Sequence, residues 1–84
     1  MQMSRARFTR TLRRYRRLAA LALKSLHNLQ RKCNKLAEEI LLPSSTDRTY
    51  KEWKLNYILI GITLNNYIKI QTKTKFLLET ARNN

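Results

Sequence analysis

The chain has 84 residues, with 18 Lys and Arg against 5 Asp and Glu, a formal charge of +13. One Cys and one His leave no partner for an internal disulfide and no His pair for zinc. No Ser-His-Asp set, carboxylate dyad or Gly-rich phosphate loop is present, so the composition points away from an enzyme, a metal and a cofactor.

The charge is uneven. Residues 1–37 hold eight Arg, three Lys and no acid, whereas residues 38–84 hold seven basic and five acidic residues. Such asymmetry implies a polyanionic partner for the first half: nucleic acid or an anionic membrane surface. A solvated face is the plainer alternative, but solvated faces usually mix signs. One Gly and one Pro favour long uninterrupted elements. A chain this short buries only about 60% of its unfolded surface, so a lone monomer would be marginal.

Residues 5–41 read as one helix. Phe8, Leu12, Tyr15, Ala19, Ala22, Leu26, Leu29, Cys33, Leu36 and Ile40 follow one another at alternating spacings of 4 and 3. That is a heptad seam, the signature of a helix packed lengthwise on another as in a coiled coil. Ser4 is placed to cap it.

Opposite the seam, Arg10, Arg17, Lys24 and Arg31 recur every seven residues, and Arg13, Arg14 and Lys35 widen the row. These seven residues are the expected phosphate contacts. Cations release counterions from a nucleic-acid backbone, while neighbouring Asn28, Gln30, His27 and Ser25 supply neutral donors. Few residues look placed to read base edges, so the expected binding follows shape and charge. A straight helix suits the wide, shallow minor groove of duplex RNA.

Met1–Lys24 also has the Arg-rich, acid-free composition of a mitochondrial targeting segment. Against that reading, the seam continues without a break from Phe8 to Ile40. Glu38 and Glu39 point to different faces and end the basic region.

Pro43 should end the first helix, and residues 42–48 form the linker. Thr49 with Glu52 matches a capping box, and Ser45 and Asp47 are competing caps. Residues 49–81 then read as a second helix, with a seam at Trp53, Tyr57, Ile60, Leu64, Tyr67, Gln71, Thr74, Leu78 and Ala81. A strand competes over residues 67–76, where β-branched and polar residues alternate, but no turn signal supports a hairpin of strands. Gly61 marks either a close helix crossing or an ordinary surface position. The apolar run at 55–64 is too short to span a bilayer.

The second helix is apolar beyond its seam, notably at Leu55, Ile58, Leu59 and Ile62. A helix apolar on most sides is buried on more than one of them. The expected architecture is therefore an all-α, single-domain antiparallel two-helix hairpin that dimerises into a four-helix bundle through these residues. Of the aromatics, Trp53 should staple the loop end of the hairpin. Tyr15, between Arg14 and Arg16, is the candidate for base stacking, although seam aromatics are usually core. Cys33 reads as a small buried hydrophobe or as a thiol near a dimer axis. His27 falls on the outer surface.

A four-helix bundle with two basic helices on one face resembles the nodavirus B2 silencing suppressors, small helical dimers that bind double-stranded RNA lengthwise. The resemblance is architectural, with an echo in Leu26-His27-Asn28-Leu29 through Cys33-Asn34-Lys35-Leu36. It implies a viral RNA-silencing suppressor acting in the host cytoplasm. The expected function is thus sequence-independent binding of duplex RNA by a homodimer. The alternative is a structural helical subunit of a larger assembly, such as an organellar ribonucleoprotein or a coiled-coil complex, with a foreign helix on the second apolar face. An amphipathic membrane-surface helix is a third reading.

Overall fold

The computed structural model describes residues 4–83 and is all-helical. Helix α1 spans Arg5–Ile40 and helix α2 spans Asp47–Asn83. They pack side by side along a body of 62 × 14 × 14 Å. Thirty-six residues at 1.5 Å per residue give about 54 Å, so each helix runs most of the molecule's length.

Helix α1 starts as its sequence dictates. The Ser4 side chain accepts a hydrogen bond from the Arg7 amide at 3.2 Å, and the Ser4 carbonyl accepts from the Phe8 amide at 2.9 Å. Ser4 therefore satisfies an amide that the helix itself leaves without a partner. At the other end, the Leu41 amide turns back to the Glu38 carbonyl at 3.2 Å. The Ser45 amide then donates to the Leu42 carbonyl at 3.0 Å, closing a tight turn with Pro43 at its second position. Proline's fixed φ favours that position.

Helix α2 begins at Asp47, two residues before its expected start, and the Tyr50 amide donates to the Thr46 carbonyl at 3.3 Å. Thr46 thus takes the capping position, and Thr49 lies inside the first turn, so the capping box expected at Thr49 and Glu52 does not form. Asp47 in the first turn complements the positive end of the helix dipole. Residues 67–76 are helical. Their threonines adapt to that state: Thr72 and Thr74 donate their hydroxyls to the Ile68 and Ile70 carbonyls at 2.9 Å, four residues back.

All ten expected seam residues of α1 are at least partly shielded, and Leu36 is buried. In α2 the seam differs from the expected one. Trp53, Ile60, Tyr67 and Thr74 face α1 as expected, but their alternates are Asn56, Thr63, Ile70 and Leu77. The expected alternates Tyr57, Leu64, Gln71 and Leu78, with Ala81, are exposed. The spacing of 4 then 3 from each shared position becomes 3 then 4. Helix α2 is apolar on several sides, so pattern alone does not choose between the two seams. The packed seam brings smaller and more polar side chains against α1 at Asn56 and Thr63, and apolar ones at Ile70 and Leu77.

Gly61 marks no crossing. A Cβ at that position would meet nothing within 4 Å, so its place in the helix owes nothing to close packing.

Candidate nucleic-acid interface

The basic row is a direct product of the α1 seam. Because the seam residues turn toward α2, positions at the same heptad phase on the far side turn outward. Arg10, Arg13, Arg14, Arg17, Lys24, Arg31 and Lys35 are all exposed. Arg10, Arg13, Arg14 and Arg17 line one shallow depression together with Arg5 and Thr9. Their spacing of 3, 1 and 3 places four guanidinium groups on two helical turns. Beyond Arg17 the row thins to Lys24, then Arg31 and Lys35.

Among the described residues, no acid neutralises any of these cations. The ion pair formed there is Arg48 Nε to Glu52 Oε1 at 3.4 Å, on α2 and near the loop. Both partners are largely in water, so that pair contributes little. The α1 face therefore carries unneutralised positive charge, densest from Arg10 to Arg17. Guanidinium groups offer planar forks of donors that match phosphate oxygens.

Tyr15 is half-buried at the seam, on the α2 side of α1, and borders a mainly apolar groove with Phe76 and Leu77. Its partial burial accords with the core placement usual for seam aromatics. His27 is exposed beside the row. Cys33 is a free, half-buried thiol at the seam.

The structure also brings aromatic side chains into contacts that the seam pattern does not give. Tyr50, Trp53 and Tyr57 form a ladder on one side of α2. Ring centroids are 6.0 Å apart for the first pair and 5.7 Å for the second. The spacing of 3 and 4 is the available signal, but the heptad pattern also places Tyr57 on the expected seam and so in the core.

The outer row of α2 is the second feature. Leu55, Ile58, Leu59 and Ile62 lie at i, i+3, i+4 and i+7, and each is at least 41% exposed. Among the described residues no side chain is completely buried, and the buried apolar residues are Leu36 and Leu77. No helix among them is long and apolar enough to cross a membrane. No family model, curated protein or solved structure matches this chain.

Proposed function

We propose that the protein is a non-enzymatic binder of nucleic-acid backbones, with double-stranded RNA as its preferred ligand, and that it acts as a homodimer in the manner of a B2-like RNA-silencing suppressor. The carrying observation is the outer face of α1. Seven exposed cations stand in one row, on a helix with no acid before Glu38 and, among the described residues, no ion pair to any of them. A polyanion landing on this face releases counterions and meets no repulsion. The row is long and straight, and its few neutral donors suit phosphate and sugar better than base edges.

Dimerisation is supported by the outer face of α2. A small chain whose core consists of a few partly shielded layers needs an additional source of burial. Leu55, Ile58, Leu59 and Ile62 provide one, and pairing two copies there leaves both α1 basic faces outward. The same exposed row also favours the second reading, a structural subunit that meets a foreign helix in a larger assembly.

The test is fluorescence anisotropy with matched duplex RNA, duplex DNA and single-stranded RNA at about 50 and 200 mM salt. Duplex RNA should bind tightest, with affinity falling steeply with salt and indifferent to sequence. Absence of binding at the higher salt would overturn the RNA reading and direct attention to a protein partner of α2.

A further inference from the structure

On one flank of the hairpin, α1 and α2 border an open groove of about 460 Å³. Leu26 and Ile60 form part of its floor, Tyr57 is its wall on α2, and His27, Gln30 and Asn34 line its α1 side. Tyr57 is 63% exposed, and its ring is backed by Trp53 at an interplanar angle of 26°. Among the described residues no acid lines the groove.

These groups suit a particular chemistry. A flat aromatic ring held from behind offers a stacking surface that any nucleobase can use. The Asn34 amide carries donors and an acceptor, the complement of a base edge. Charge fixes where the rest of the ligand lies. His27 follows Lys24 by three residues and precedes Arg31 by four, so the α1 side of the groove adjoins the basic row. A strand held by its phosphates on Lys24 and Arg31 has a base within reach of the groove. The Leu55–Ile62 row lies on the opposite side of α2 at about 100° per residue, so a dimer formed there leaves the groove open.

We infer that this groove takes an unpaired nucleobase from an RNA whose phosphates lie on the outer face of α1. The inference rests on the RNA reading above. It adds that the protein prefers duplexes carrying a bulge or overhang to perfect ones.

The experiment compares two RNA duplexes of equal length, one perfect and one with a single bulged 2-aminopurine, by anisotropy and by 2-aminopurine fluorescence. The wild-type protein should bind the bulged duplex about ten-fold more tightly, with the fluorescence quenched by stacking. Tyr57→Ala and, separately, Asn34→Ala should each reduce that preference and the quenching, while leaving affinity for the perfect duplex unchanged. Both positions are exposed, so neither change removes core. Equal affinity for the two duplexes without quenching would overturn the groove and leave the α1 face standing. Binding to neither duplex would overturn both readings. A preference that survives in Tyr57→Ala would overturn the groove assignment, as would a change of molecular mass in that variant, because a second copy would then cover Tyr57.

Discussion

Asn56 Nδ2 donates a hydrogen bond to the backbone carbonyl of Leu29 at 3.1 Å, joining the two helices in the half of the hairpin nearer the loop. Asn56 is 3% exposed, and its Oδ1 has no hydrogen-bond partner. The bond fits an antiparallel register in which heptad steps bring Ala22 opposite Thr63 and Phe8 opposite Leu77. A polar residue at one seam position specifies register at a cost in stability, and here the unpaired Oδ1 is that cost.

Asn56→Leu should therefore raise stability. Replacing an unsatisfied acceptor with apolar volume is expected to add about 1 kcal/mol, read from urea unfolding followed by circular dichroism. Register should loosen at the same time, seen as mixed species in size-exclusion chromatography with light scattering. A less stable variant would show that the Asn56–Leu29 bond outweighs the orphaned oxygen.

The α1 row makes a thermodynamic demand. Arg17→Ala combined with Arg31→Ala should weaken binding across all RNA sequences alike. The plot of log affinity against log salt should flatten by about two units, close to one for each phosphate no longer neutralised. A slope equal to the wild type's would remove the row from the interface.

The α2 row has its own readout. The wild type should scatter light as twice the 10.1 kDa chain mass. Leu59→Lys should shift it toward the single-chain mass and reduce helicity, because a buried ammonium lacks a partner in an apolar interface. A wild type that runs at 10.1 kDa in dilute solution would remove the homodimer.

Gly61 provides a control that discriminates between packing and propensity. With nothing within 4 Å of where its Cβ would stand, Gly61→Ala should stabilise α2 by about 1 kcal/mol through helix propensity. RNA affinity and molecular mass should not change. Destabilisation would place another chain directly against that turn.

Much of α1 is legible in the sequence. Its apolar residues occupy one narrow stripe and its charges another, so a single periodicity assigns both the packed face and the row Arg10, Arg17, Lys24 and Arg31. The cap at Ser4 and the stop before Pro43 follow from local stereochemistry, which depends on neighbours in sequence alone. The groove is not legible there, because it is built from the flanks of two helices and its aromatic wall, Tyr57, belongs equally well to an expected seam.

What the sequence by itself determined is the two long helices, the turn between them and the acid-free outer face of α1. What only the tertiary structure decided is which face of α2 meets α1. That helix offers Tyr57, Leu64 and Leu78 on one side, Leu55, Ile58 and Ile62 on another, and Asn56, Thr63 and Leu77 between them. Hydrophobic burial is non-directional, so it does not rank apolar faces of similar size. A directional contact does: Asn56 reaches the Leu29 carbonyl of α1 from one face of α2 alone. Against the α1 seam the chain packs the row that carries Asn56 together with Trp53, Ile60, Tyr67 and Leu77, and Tyr57, Leu64 and Leu78 remain outside.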